Sequence, residues 1–345
     1  MLTQTTRADL ITTFYTIAIG ALGAGGAYYL SFPVFVLTGP AILVSVISLT
    51  GIRFIIVPIV RDIAFVLIGI GIGAGLNSEA TDAILRWPFA IGALAIMLLI
   101  IISLCQFLLV RFFKFDKRSA ILAATPGHLS FVIGLGSALG LDVARVAVVQ
   151  SVRLLALTLL VPLLAVLFGV ELGTNILPAG ISMQNIDLLG LIALSVVVGQ
   201  ILKRLNVPAS VLIGAMLTSA AFHALNLTPG VLPTTIALPC FMVIGTMIGT
   251  RFSGITFLQL KNAFLAGLTI TGVSIFLTVA TAIPVAYYLA ITPAHVVVAF
   301  APGGLETMIA MGAVLGANPG FVAACHIGRL LLLPLFVPVF LAKCK

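Results

Sequence analysis

The chain has 345 residues, 61% of them hydrophobic and 8% charged, with a formal net charge of +8. A soluble domain carries about 25% charged residues, and surface shrinks too slowly with size for a water-soluble fold to hide this much apolar side chain. The basic balance is no nucleic-acid footprint either: the densest charged cluster is only Arg111, Lys114, Asp116, Lys117 and Arg118, and basic residues of membrane proteins gather in cytoplasmic loops.

A helix crossing a bilayer needs about 20 predominantly apolar residues. The first eight residues are polar, and an apolar run follows from Leu10 to about Tyr28. That run is longer than the apolar core of a cleaved signal peptide, so a retained first helix is expected over 10–29. Further spans are expected over 33–51, 62–77, 88–110 and 144–168, then over 187–202, 208–227, 235–250, 263–290 and 319–341. Gly69-x-Gly71-x-Gly73-x-Gly75 follows no strand, so it reads as a close-packing helix face and not as a nucleotide loop. Cys105, Cys240, Cys325 and Cys344 contain no CxxC pair and read as packing residues. Two other apolar stretches, 119–142 and 295–317, are interrupted by glycine and proline. No polar stretch is long enough for a soluble domain.

The chain repeats itself. With a shift of 176, residues 125–162 align with 301–338, and sixteen of those 38 positions are identical. Pro126 falls on Pro302, Gly127 on Gly303, Arg153 on Arg329 and Pro162 on Pro338. At nearly the same shift Leu30-x-x-Pro33 matches Leu205-x-x-Pro208, and Gly69 and Gly73 match Gly245 and Gly249. Two membrane repeats, 1–170 and 171–345, are therefore expected within one integral membrane unit. Internal repeats are a common construction in transporters.

Charge gives the repeats an orientation. If all twelve apolar stretches span, with the N-terminus inside, nine Lys/Arg lie inside and six outside. If 119–142 and 295–317 only dip in and return, 14 lie inside and one, Arg86, outside. Glu79, Asp82, Glu171 and Asp187 are then external. Cytoplasmic enrichment of Lys and Arg favours the second layout. It has ten crossings, five per repeat, and an odd number per repeat inverts one against the other. The fold expected is all-α and polytopic: two inverted repeats, each of five transmembrane helices and one re-entrant hairpin, with both termini cytoplasmic. Twelve spanning helices is the alternative.

The breaks at Thr125-Pro126-Gly127-His128 and Ala301-Pro302-Gly303-Gly304 would form the hairpin tips. Proline removes an amide donor and glycine admits unusual backbone angles; such backbone survives at membrane depth only inside protein or around a watery cavity. The half-helix after each break would aim its first amides at that cavity, an arrangement that favours anions. A proline kink in an ordinary span is the bland alternative. Arg153 and Arg329 sit about ten residues into their helices, about 15 Å deep at helical rise. A guanidinium there could clamp a carboxylate or satisfy bare carbonyls at the tips, and both readings stand. Gln150 and His326 occupy equivalent positions three residues earlier, on the face of each arginine. Glu306, in the first turn after Pro302-Gly303-Gly304, could carry a coupling proton, bind a cation such as sodium, or pair with an arginine. His128 and His326 could relay protons or be merely hydrogen-bonded. The four histidines, His128, His223, His295 and His326, show no metal-binding spacing, so no metal or other cofactor is expected.

These motifs carry a family resemblance. Thr125-Pro126-Gly127-His128-Leu129-Ser130 through Gln150-x-x-Arg153-Leu154, and Ala301-Pro302-Gly303-Gly304-Leu305-Glu306 through His326-x-x-Arg329-Leu330, resemble the AbrB family of bacterial membrane proteins, known for a duplicated membrane domain. The likeness covers essentially the whole chain. It implies a bacterial inner-membrane location. Members carry the labels ammonia monooxygenase and regulator of gene expression; the first needs metal ligands that these residues do not supply, and the second implies an indirect effect. The layout also looks like secondary transporters with five-plus-five inverted repeats and two hairpins, an analogy of architecture alone. The expected function is a secondary transporter or exporter of a small anionic solute, not an enzyme; the alternatives are a membrane sensor that affects gene expression indirectly and, behind it, a membrane-bound monooxygenase. Its site would comprise Thr125, Pro126, Gly127, His128, Gln150, Arg153, Pro302, Gly303, Gly304, Glu306, His326 and Arg329. Its partners would be lipid, the solute and, as is common in such architectures, a second copy of the chain.

Overall fold

The computed structural model describes residues 6–75, 87–127, 129–170 and 180–342. Glu79, Asp82, Arg86, His128, Glu171 and Cys344 lie outside the described residues. Those residues form fourteen helices and one isolated parallel bridge between Ser182 and Val231.

The first seven helices are α1 (Arg7–Tyr29), α2 (Phe35–Ser48), α3 (Pro58–Gly73), α4 (Trp87–Phe113), α5 (Lys117–Ala124), α6 (Leu129–Ala138) and α7 (Val143–Leu167). The next seven are α8 (Asn185–Arg204), α9 (Ser210–Ala224), α10 (Thr234–Thr250), α11 (Phe257–Leu289), α12 (Pro293–Phe300), α13 (Leu305–Val314) and α14 (Pro319–Ala342). Local chemistry sets several starts. Thr6 and Asp9 close a capping box at α1, Pro58 supplies the preset φ of a first helical turn at α3, and Thr256 with Gln259 caps α11. The two interrupted stretches are broken where the sequence places proline and glycine, between α5 and α6 and between α12 and α13.

Moving the bounds of α5 and α6 forward by 176 residues gives those of α12 and α13. The agreement extends to backbone detail. Val34 and Ala209, which precede α2 and α9, both adopt left-handed conformations, with φ of 51° and 50°.

Six helices, α1, α4, α7, α8, α11 and α14, are long and apolar enough to cross a membrane. The other expected spans are shorter: α2, α3, α9 and α10 have 14, 16, 15 and 17 residues. At helical rise that is about 21–26 Å, against about 30 Å of hydrocarbon. Their lengths need not match the lipid because protein surrounds them; nine of the fourteen residues of α2 are buried.

Packing divides the helices into two groups. In one, α3 lies on α9, α10 on α2, α1 on α2 and α8 on α9. In the other, α11 lies on α7, α4 and α12, while α14 lies on α4, α12 and α13. The α13 helix also touches α3 and α10, which joins the groups. Glycine makes the first group close. A Cβ on Gly69 would stand 2.6 Å from the Leu212 carbonyl oxygen, and one on Gly245 would stand 2.5 Å from that of Leu37. Gly23 meets Gly39 and Gly199 meets Gly214 in the same manner. Without a hydrophobic drive between helices in lipid, such backbone approach is a main source of association. The expected close-packing role of the Gly69–Gly75 series is realised at Gly69 and Gly73. Cys105, Cys240 and Cys325 are buried free thiols.

Candidate functional site

Each helix break ends in a carbonyl that its own helix leaves without a partner, because proline follows and has no amide to continue the ladder. The tips share one local geometry: the Gly127 amide donates to the Thr125 carbonyl at 2.9 Å, and the Gly303 amide to the Ala301 carbonyl at 2.8 Å. Thr125 is fully buried, and its hydroxyl donates back to the Ile121 carbonyl at 2.7 Å.

The two arginines meet these tips. Arg153 and Arg329 each stand eleventh in their helices, α7 and α14, and are 1% and 2% exposed. Arg329 donates from Nη1 to the Ala301 carbonyl at 2.9 Å and from Nη2 to the Gly303 carbonyl at 2.7 Å. Arg153 directs both Nη atoms at the Thr125 carbonyl, each at 3.4 Å, and donates from Nη2 to Gln150 Oε1. The two guanidiniums lie within electrostatic reach of each other. Gln150 Nε2 is directed at the carbonyls of Leu122, Ala123 and Thr125, at 2.9, 3.3 and 2.8 Å, and so closes the C-terminus of α5. Among the described residues His326, its counterpart, faces only the Val322 carbonyl of its own helix, at 3.0 Å through Nδ1, and its buried Nε2 has no partner. Of the two roles open to the arginines, satisfaction of tip carbonyls is the one these bonds display.

Glu306 lies elsewhere. It forms no ion pair with Arg153 or Arg329; Arg61 with Asp62, at 2.8 Å, is the one ion pair among the described residues. Instead Glu306, in the first turn of α13, lines a cavity of about 410 Å³ with Thr307, and Leu129 and Ile133 of α6 border the same space. Arg61 and Asp62 of α3, Lys203 of α8 and Arg251 after α10 complete its charged wall. Arg251 and Glu306 border the same space, close enough for their charges to interact. Three basic side chains thus face two carboxylates, and the first turns of α6, α9 and α13, whose orphan amides attract negative charge, all border the space.

Of the twelve site residues expected from sequence, Glu306 lines this cavity. Thr125, Gly303, Gln150, Arg153 and Arg329 form the bonded support of the tips, with Pro126, Gly127, Pro302 and Gly304 shaping the breaks and His326 beside the second. His128 lies outside the described residues. Arg61, Asp62, Lys203 and Arg251 were not singled out by motif. One signal does mark them: all four sit at helix ends that the ten-crossing layout places on the same side as the excess of Lys and Arg.

The chain matches the model of a family described as "AbrB: Transition state regulatory protein AbrB" over residues 36–344. It is 25% identical over 294 residues to "Uncharacterized protein YhjN" of Bacillus subtilis (strain 168), covering 79% of this chain and 76% of that protein. It is 26% identical over 310 residues to "Putative regulator AbrB" of Escherichia coli (strain K12), covering 86% of each. No solved structure matches the chain.

Proposed function

The chain belongs to the AbrB family, and from that premise we propose that it is a secondary transporter of small anionic solutes in a bacterial inner membrane. One observation carries this reading: a cavity of about 410 Å³ in a helical membrane protein is walled by Arg61, Lys203 and Arg251 and reaches the first turns of two half-helices. The Arg61–Asp62 pair neutralises itself. Lys203 and Arg251 against Glu306 leave one net positive charge, and the helix starts add to it. A solute with one negative group fits that balance.

The chain is read as two inverted repeats with ten crossings. The matching bounds of α5–α6 and α12–α13 and the cytoplasmic excess of Lys and Arg support that layout. Broken helices at the interface of repeats are where secondary transporters build their sites. Arg153 and Arg329 act by holding the tips, because their Nη donors are engaged by backbone carbonyls. Glu306 is our choice for the group that exchanges a coupling proton or sodium ion, and its place in the cavity wall supports that reading. No enzymatic step is assigned. A second copy of the chain is the expected partner in the membrane.

The name of the Escherichia coli relative favours a second reading, in which the protein affects gene expression. A transporter does so indirectly, by setting the internal level of an anion that another protein senses.

The test is reconstitution into liposomes and recording of the currents evoked by a panel of small carboxylates and organic phosphates. A saturable current that Arg251→Gln weakens is expected. Absence from monodisperse protein of any anion-evoked current and of any anion-dependent change in internal pH or sodium, which would report an electroneutral cycle, would sink the transporter reading. Stoichiometric copper or iron in the purified protein would favour the oxygenase label instead.

A further inference from the structure

The cavity treats the two repeats unequally. The α6 helix contributes Leu129 and Ile133, four residues apart on one face, and both are partly exposed. Their counterparts 176 residues later, Leu305 and Ile309 of α13, are 5% and 0% exposed. The same holds between α3 and α10: Arg61 borders the cavity, while its counterpart Ala237 is 0% exposed. One side of an approximately twofold arrangement is therefore open, and the related side is packed shut. In the ten-crossing layout α6 runs from the tip to the cytoplasm, and so does the basic wall of Arg61, Lys203 and Arg251. The open side is the inner one.

Related sequences that fold alike can pack alike, so the open arrangement around the first hairpin is also accessible to the second. We propose that the structure shows an inward-open state, and that in a second, outward-open state Leu305, Ile309 and Ala237 line an external entrance to the same tips. This rests on the inverted-repeat transporter reading of the preceding subsection. The second entrance has a different chemistry. Arg61, Asp62, Lys203 and Arg251 correspond to Ala237, Leu238, Tyr28 and Gly75, so no cation lines it at those places. Anions are drawn in from the cytoplasm by a basic vestibule and leave through a neutral one. Apparent affinity is then higher at the inner face, and raised salt weakens it there by screening exposed charges.

Single cysteines test this without knowledge of the solute. Ile133→Cys and Ile309→Cys are made in a chain whose own four cysteines are alanine, and a membrane-impermeant maleimide is applied to inside-out and right-side-out vesicles. Ile133→Cys is expected to react only in inside-out vesicles. Ile309→Cys is expected to react only in right-side-out vesicles, and more slowly, because that side is shut in the state seen here. Adding Ile248→Trp, which props the inner cavity open, is expected to lower the Ile309→Cys rate about tenfold, as a bias of about 1.4 kcal/mol would. Leu129→Cys and Leu305→Cys repeat the comparison if the first pair fails to give monodisperse protein.

An Ile309→Cys thiol that never reacts from outside, while Ile133→Cys reacts from inside, would overturn the proposal. So would an Ile309→Cys thiol that reacts from the inner side. Reaction of Ile133→Cys from outside would instead overturn the orientation of the repeats. Anion-evoked current with a permanently shut outer side would leave transport standing and remove only the alternation.

Discussion

Arg329 binds Gly303 through a charge-assisted hydrogen bond of 2.7 Å from Nη2 to the glycine carbonyl. The bond couples the middle of α14 to the tip between α12 and α13, where it satisfies a carbonyl that the break at Pro302 leaves without a helical donor. A buried arginine in a bilayer is costly and needs partners, and exposed tip carbonyls need donors. Each side of the contact removes the other's cost.

Replacement of Arg329 with glutamine is expected to destabilise the protein, because the Gly303 carbonyl loses its guanidinium donor and the Ala301 carbonyl is left with the Gly303 amide alone. An unsatisfied buried acceptor costs about 1–3 kcal/mol. Arg329→Lys should fall between, since a single ammonium lacks the planar fork that serves two oxygens at once. Thermal unfolding in detergent reads both. An unchanged melting temperature in Arg329→Gln would mean that the tip carbonyls find other donors.

The two repeats solve the same problem with different residues, and that difference is testable. Gln150 Nε2 faces the Leu122 and Ala123 carbonyls of α5 and the Thr125 carbonyl just after it, whereas His326 leaves Nε2 buried without a partner among the described residues. Gln150→Leu should therefore destabilise by about 1–3 kcal/mol. His326→Gln should be tolerated or stabilising by about 0.5–1.5 kcal/mol, because the amide can reach the α12 carbonyls in the manner of Gln150. A melting temperature well below the wild type in His326→Gln would show that the imidazole does something that its hydrogen bonds do not reveal.

Much of this was legible in the sequence. Apolar run lengths located the helices to within a few residues, because lipid forces the backbone to satisfy itself within each segment. The proline-glycine pairs located the breaks, since proline lacks the donor that a continuing helix needs. The convergence of Arg61, Lys203 and Arg251 was not legible. They stand on α3, on α8 and just after α10, far apart in the chain, and they meet because α3 and α10 pack on α9 and α2 through glycine contacts. Motif reading put Arg153 and Arg329 in the site but left open whether they clamp a solute or satisfy tip carbonyls, because depth and charge can be read from spacing while hydrogen-bond direction cannot.

Those glycine contacts make a stability prediction of their own. A methyl group on Gly245 would press on the Leu37 backbone at 2.5 Å, and backbone cannot swing aside like a side chain. Gly245→Ala is expected to cost about 1–3 kcal/mol through overpacking and to lower the melting temperature. Gly92→Ala, in α4, meets nothing within 4 Å and should be neutral or slightly stabilising, because alanine is the better helix former. Equal effects of the two would remove the assigned role of close helix approach.

Charge in the cavity gives the last prediction. Lys203 and Arg251 border the cavity and are exposed, so their attraction for an anion acts through a partly aqueous medium and is screened by salt. Arg251→Gln and Lys203→Gln should each weaken anion binding about threefold to tenfold, the range of a loss near or below 1.4 kcal/mol. The double variant leaves Glu306 unopposed and the cavity at one net negative charge, so the wild type's loss of affinity with rising salt should vanish or reverse. Arg61→Gln should have a different signature, because it strips Asp62 of its partner at 2.8 Å. The cavity's net charge then falls from one positive to zero, the same fall as in either other single variant, so the loss of anion affinity should be similar and the difference should lie in stability, through an Asp62 carboxylate left without its partner. Anion-evoked currents at several salt concentrations distinguish these outcomes. Affinity that ignores all three substitutions would move the anion site out of this cavity and back to the arginines at the hairpin tips.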